Sequence, residues 1–203
     1  MLKRIFDIVS AGFGIVIISP ILLIVSLAIV LSSKGGIFYR QRRVGLDGKV
    51  FNILKFRTMY TGSDKKGLLT VGDHDPRVTP IGFYLRKYKL DELPQLFNVF
   101  IGDMSMVGPR PEVSKYVEMY SKADRIVLSI KPGITDYASI YFRNENEILK
   151  ASSNPEKKYI EEVMPRKLEL NKKYILEKGI ITDLKIIFLT FRSIFNKNQS
   201  LSA

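Results

Sequence analysis

The sequence predicts an α+β fold: a mostly helical domain with one small β-hairpin, joined to an N-terminal membrane-embedded helix. Three observations predict it. Residues 8–33 carry no charged side chain. Residues 37–57 place two β-rich segments on either side of the turn string GLDG. Beyond position 80, apolar residues recur at spacings of three and four, the period of an amphipathic helix. The boundaries that follow are 1–36 for the membrane helix, 37–195 for the main domain and 196–203 for a disordered tail.

The uncharged run IVSAGFGIVIISPILLIVSLAIVLSS is long enough, as a helix, to cross a hydrocarbon core of about 30 Å. It is longer than the apolar stretch of a secretory signal, and no small-residue cleavage site follows it. Ser19 and Pro20 lie at its middle. Proline removes a backbone donor and kinks a helix, and a serine hydroxyl bonds the carbonyl so released. Lys3 and Arg4 precede the run, and Lys34, Arg40, Arg42 and Arg43 follow it. Basic flanks at both ends give the positive-inside rule no winner. Two arrangements satisfy these facts equally: a tilted spanning helix kinked at proline, and a re-entrant helix-hairpin that leaves on the side it entered.

The hairpin at 37–57 carries Arg40, Arg42, Arg43, Lys55 and Arg57. Residues 61–80 are polar and rich in Gly and Asp, and read as a loop. A helix begins near Pro80. A second begins near Asp91, with Leu90, Leu93, Phe97 and Phe100 on one face. GDMSMVGPRPE (102–112) reads as a turn-rich loop leading into a helix, and KPGIT (131–135) as another turn. Residues 156–178 form a charged helix interrupted by Pro165 and stopped at Gly179. Residues 180–195 form an apolar helix with Lys185 and Arg192 on its polar side. That pattern fits an amphipathic helix in a membrane interface and a core helix equally well.

The 203 residues carry a net charge of +12, and only +1 of it lies in residues 1–33. A basic domain beside a membrane segment favours anionic partners: lipid headgroups and phosphorylated small molecules. Nucleic acid is the weaker reading, because no nucleic-acid-binding motif is present. The chain has no cysteine and a single histidine, His74. Disulfides, cysteine-ligated zinc, a thiol nucleophile and a multi-histidine metal site are therefore excluded, while carboxylate sites for hard metals stay open.

In KLDELPQL (89–96) two acids stand together in this basic chain. An acid at a helix start caps free N–H groups and complements the helix dipole, and proline in the first turn forfeits no helical hydrogen bond. The same physics keeps Asp91 ionised and available as a nucleophile. Neighbouring helical residues diverge by about 100°, so one carboxylate can face a phosphorus while the other holds a metal ion.

The string RVTPIGFYLRKYKLDELPQLFNVFIGDMSMVGPRPE, with LKFRTM upstream and KPGIT downstream, resembles the signature of the bacterial sugar transferases, the monotopic phosphoglycosyl transferases. The N-terminal segment with Ser19-Pro20 at its centre is similar to the family's helix-breaking pair, and the resemblance favours the re-entrant hairpin. It extends to about residue 148, and the length implies the small form of the family. The resemblance implies transfer of sugar 1-phosphate from a UDP-sugar to polyprenyl phosphate, with release of UMP. Asp91 matches the acid that forms a covalent phosphosugar intermediate. Glu92 matches the second acid, expected to bind Mg²⁺ or position phosphate. Lys55, Arg57, Arg86, Arg110 and Arg143 are the expected phosphate and nucleotide ligands.

The implied place is the cytoplasmic face of a bacterial inner membrane, with amphipathic helices at the interface and residues 37–195 as the catalytic domain. An N-acetylated hexosamine or a 6-deoxy derivative is the expected sugar. A homodimer is compatible with the sequence, although no interface is legible. Asp136, after KPGIT, stands where a small residue is expected. The competing reading is a non-catalytic scaffold that binds acidic lipid; it accounts for the charge and the apolar run but leaves KLDELPQL and GDMSMVGPRP without a purpose.

Overall fold

The computed structural model describes residues 1–63 and 75–195. The expected tail at 196–203 and the centre of the 61–80 loop, His74 included, lie outside the described residues.

Helix α1 (Leu2–Ser32) runs through Pro20 as one continuous element. Pro20 has no N–H to give the carbonyl of Val16 one turn back, and Ser19 Oγ donates to that carbonyl instead, at 2.8 Å. The pair thus repairs the hydrogen bond that proline removes, and no loop divides the helix into two arms at the expected break. Asp7, Ala11, Val25 and Ile29 are buried along one face, whereas Phe13, Val16, Leu23 and Leu27 are exposed. By length and composition α1 is able to cross a membrane.

Both ends of α1 are tied to the rest of the chain. Near the start, Lys3 Nζ meets Asp183 at 2.5 Å, and the Arg4 guanidinium donates to the carbonyls of Val99 and Phe100. Asp7 accepts from Ser105 Oγ and Met106 N, both at 3.0 Å. At the far end, the Arg57 guanidinium donates to the carbonyls of Ile29, Ser33 and Lys34.

The expected hairpin forms from β1 (Phe38–Val44) and β2 (Val50–Phe56), antiparallel with Phe38 opposite Phe56 and Val44 opposite Val50. Its turn places Asp47 and Gly48 at positive φ. Helix α2 (Pro80–Lys87) starts where Thr79 Oγ1 accepts from Gly82 N at 3.0 Å, with proline in the first turn. Lys89, in the left-handed region at φ 58°, then reverses the chain into a 3-10 turn, Leu90–Glu92, ahead of α3 (Gln95–Ile101).

The buried face of α3 differs from expectation. Gln95, Asn98 and Val99 are buried there, whereas Phe100 is 47% exposed. The inward face carries polar groups that tie segments together. Asn98 Oδ1 accepts from Leu54 N and its amide donates to Asn52 O, both at 2.8 Å, which clamps β2 to α3.

Two stretches expected as loops contain strands. β3 (Ser105–Val107) pairs in parallel with β4 (Gly133–Thr135). Three residues each are too few to show alternation. Glycine permits the pairing: a Cβ on Gly133 would lie 2.1 Å from Gly108 N. Between these strands lie α4 (Ser114–Val117) and a 3-10 segment, Asp124–Ser129.

The C-terminal part comprises α5 (Tyr137–Tyr141), α6 (Glu145–Lys150), α7 (Pro155–Lys158), α8 (Met164–Glu177) and α9 (Ile180–Phe195). A π-helical turn at Tyr159–Val163 joins α7 to α8 just before Pro165. The wider turn accommodates the residue that has no donor, so the predicted interruption is a bulge and not a break. One core of this region gathers Tyr116, Val127, Leu149, Tyr159, Val163 and Leu168. Helix α9 buries Asp183 and Ile186 and exposes Ile181, Leu184, Phe188 and Phe191, with Lys185 and Arg192 also exposed. Its inner face packs against the domain while an apolar outer face stays uncovered.

Candidate active site

The positive-φ turn at Lys89 points the next residues inward, and Asp91 ends 9% exposed at the mouth of α3. Among the described residues no hydrogen bond or ion pair reaches its carboxylate. Burial raises its pKa first and the neighbouring Glu92 second; Lys55, Arg86 and Lys89 pull it back without reversing the shift. The sequence suggested that a helix N-terminus would keep this acid ionised. Desolvation outweighs that help here, because Asp91 sits on a 3-10 turn short of the helix proper.

Glu92 is the opposite case. Its Oε1 accepts from Lys55 Nζ at 3.0 Å and from the Arg110 guanidinium. Burial alone would raise its pKa, but Arg110 and Lys55 overcome it and hold the carboxyl well below the usual range. Desolvation lowers the Lys55 pKa against the opposing charge of Glu92. The Glu92 charge raises that of Arg110. Two adjacent acids thus have different chemistry: one unpartnered and proton-hungry, the other a fixed counter-ion between two cations.

Arg86 joins from α2. Its Nε donates to Thr58 Oγ1 at 2.9 Å, burial lowers its pKa, and the Asp91 charge acts on it. The structure therefore brings Lys55, Arg86 and Arg110 around the acid pair. It places Arg57 elsewhere: its side chain caps the last carbonyls of α1, because a planar fork of donors suits several acceptors at a helix end. Arg143 lies half-buried in the turn between α5 and α6, and it is not among the leading charges acting on either acid.

Several participants had no signal strong enough to single them out. Asn98 fixes the hairpin that carries Lys55 against the helix that follows Glu92. Asp136 is fully buried; its Oδ2 accepts from the Arg110 backbone N–H at 3.2 Å, and its Oδ1 caps α5 through Ser139 N at 2.6 Å. Its departure from a small residue was visible, but its partner was not. Lys3, Asp7 and Asp183 seat α1 and lie far apart in sequence.

The donor set suits Mg²⁺ in one limited way. Glu92 Oε2 and both oxygens of Asp91 have no hydrogen-bond partner among the described residues, and they are hard donors. No cluster of three or more His, Cys, Asp or Glu side chains occurs among the described residues, so those residues offer no complete cage. An ion completed by phosphate oxygens of a bound ligand is the arrangement these residues fit.

A buried, unpartnered carboxylate beside several cations has the parts that nucleophilic attack on a phosphate needs, and such cations can neutralise phosphate oxygens. Comparison with known proteins shows the family. The chain is 40% identical over 202 residues to the UDP-glucose:undecaprenyl-phosphate glucose-1-phosphate transferase of Escherichia coli (strain K12), covering 97% of this chain and 41% of that protein. It therefore spans about two fifths of that relative's length. It is 38% identical over 194 residues to the sugar transferase EpsL of Bacillus subtilis (strain 168), covering 96% of this chain and 87% of that protein. A putative undecaprenyl-phosphate N-acetylgalactosaminyl 1-phosphate transferase of the same organism is 44% identical over 119 residues, 59% of this chain and 66% of that protein. The pattern of the bacterial sugar transferase family matches residues 1–197, and the chain belongs to that family.

Proposed function

We propose that the protein transfers sugar 1-phosphate from a UDP-sugar to a polyprenyl phosphate such as undecaprenyl phosphate, in two displacement steps at Asp91. The observation that carries this is the contrast within the pair: Asp91 buried and unpartnered, Glu92 holding Lys55 and Arg110. In the first step an Asp91 carboxylate oxygen attacks the β-phosphorus of the donor, and the bond from that phosphorus to the bridging oxygen breaks. The electron pair leaves with UMP, and the sugar phosphate remains on Asp91 as an acyl phosphate. In the second step an oxygen of the lipid phosphate attacks the same phosphorus and frees the carboxylate. The product is a polyprenyl-diphosphate-sugar.

Lys55, Arg86 and Arg110 are positioned to hold the phosphate oxygens through both steps. Glu92 would help hold Mg²⁺, which would supply charge neutralisation on the leaving phosphate. The relatives' names divide between glucose and N-acetylgalactosamine, so the expected N-acetylated donor stands beside glucose.

The same reading places the protein in one leaflet, on the cytoplasmic face of the inner membrane, where a soluble donor and a lipid acceptor meet. The ties at both ends of α1 to one domain support entry and exit on the same side. The uncovered apolar residues of α1 and α9 support immersion of those faces. Arg57 serves as support in this reading, not as a direct ligand of the reacting phosphorus, and Arg143 stays a proposed ligand of the nucleotide.

The test is nucleotide release. Protein in detergent or nanodiscs is incubated with UDP-glucose, UDP-N-acetylgalactosamine and a wider panel, with Mg²⁺ and undecaprenyl phosphate, and UMP and UDP are measured separately. UMP from one or a few donors, lost in Asp91→Asn, is the expected result. UDP in place of UMP would mean direct glycosyl transfer and would overturn the mechanism. Neither nucleotide, from folded protein that still binds vesicles, favours the lipid-binding scaffold.

A further inference from the structure

Arg110 sits in Pro109-Arg110-Pro111, the only residue of the three with a backbone N–H. The loop that follows β3 turns back against β4. Gly108 N donates to Thr135 O at 3.1 Å, and Gly133 N donates to Pro109 O at 3.0 Å. The next donor in the loop, Arg110 N, meets a side chain in place of a carbonyl. Asp136 Oδ2 takes its place at 3.2 Å. A side chain thus anchors the loop at the residue whose guanidinium reaches Glu92.

The same carboxylate is fixed from its other side. Its Oδ1 accepts from Ser139 N at 2.6 Å as the N-cap of α5, and Asp136 is 0% exposed. Asp136 therefore cannot swing without uncapping a helix, and Arg110 N cannot move without leaving its acceptor. Arg110 is held at both ends, its guanidinium by Glu92 and its backbone by Asp136. The Asp136 charge also acts on the Arg110 guanidinium, behind that of Glu92.

We infer that Asp136 is a positioning residue for Arg110: it fixes the Pro-Arg-Pro loop so that the guanidinium meets the phosphates of the nucleotide. This rests on the nucleotide-binding reading above. The plainer alternative is that Asp136 only caps α5. A cap alone gives a stability effect and an effect on ligand affinity that is independent of Arg110. A positioning role makes the effect depend on Arg110 being present, since distant or unrelated contributions add and shared ones do not.

The experiment is a double-mutant cycle on UDP affinity, measured by titration calorimetry on full-length protein in detergent with Mg²⁺. The variants are Asp136→Asn, Asp136→Ala, Arg110→Ala and the corresponding doubles. Asparagine has one acceptor oxygen, so it serves either the α5 cap or Arg110 N but not both. Asp136→Asn is expected to weaken UDP binding by about fivefold to tenfold in the parent chain, the scale of one hydrogen bond. In the Arg110→Ala background the same change is expected to do nothing beyond about twofold. Thermal unfolding identifies any variant that fails to fold; if Asp136→Ala does, Asp136→Asn decides. Equal weakening in both backgrounds, or none in the parent, overturns the inference while leaving nucleotide binding intact. A parent protein that binds no UDP overturns the nucleotide reading and this inference with it.

Discussion

Asp91 and Glu92 are adjacent, yet they face opposite electrostatic conditions, and the difference yields two expectations. The raised pKa of Asp91 means that folding disfavours its charged form. Its contribution to stability therefore falls as pH rises from the unfolded value of about 3.9 through the folded one. Asp91→Asn removes this penalty. The variant is expected to lose activity and to gain stability, with a midpoint about 2–4 °C higher for each kcal/mol gained. Thermal unfolding at pH 7.5 checks it. Glu92 is lowered, so its stabilisation is present above about 4.3 and is lost as pH falls through its folded value. Glu92→Gln is expected to destabilise the protein by about 2 kcal/mol, less than a fully buried pair because Arg110 is 35% exposed. In a pH–rate profile, UMP release should fall on the acid side through a value above the ordinary aspartate range, since the attacking form of Asp91 is the ionised one.

Among the elements, the short parallel pair matters more than its size suggests. It holds the Pro-Arg-Pro loop against Asp136, and it exists because two glycines allow the backbones to touch. Gly133→Ala would bring a Cβ to 2.1 Å from Gly108 N and 2.5 Å from Gly108 O, contacts that no side-chain adjustment relieves. The expected cost is about 3 kcal/mol or more, with loss of UDP affinity, read by unfolding and titration together. Arg57 gives the contrasting prediction. Arg57→Ala exposes the carbonyl end of α1 and should cost about 1.5–3 kcal/mol, with little change in KM for the nucleotide sugar. Arg57→Lys should not restore it, because a single ammonium does not span the carbonyls of Ser33 and Lys34 as the guanidinium does. A KM raised as strongly as by Arg110→Ala would return Arg57 to the phosphate site.

For the whole molecule, the proposed one-sided entry into a membrane turns on how α1 is seated. A helix of 31 residues that crossed a bilayer would carry one end far from a domain held on one side. Here Lys3, Arg4 and Asp7 bind β3, α3 and α9, while the other end is held by Arg57, just past β2. The chain has no cysteine, so single cysteines report cleanly. Cysteines at Leu2 and at Gly36 are expected to react with a membrane-impermeant maleimide from the same, cytoplasmic side in inverted vesicles. Labelling from opposite sides would establish a spanning helix.

The sequence by itself determined the apolar helix, the hairpin, the positions of α2 and of α9, and the acid pair, because each is written in contiguous residues. Periodicity, a run without charge and a turn string are local quantities. Rare motif strings in order identified the family, and with it an expected role for Asp91. The roles of the cations were beyond sequence. Arg57 and Arg110 look alike as basic residues in family strings, yet one caps a helix 23 or more residues away and the other pairs with Glu92 18 residues back. Which carboxylate is left unpartnered, what Asp136 holds and which face of α3 turns inward all depend on segments meeting across the fold. Only the tertiary structure decided them, because burial and charge pairing are set by distances between parts of the chain that sequence order does not constrain.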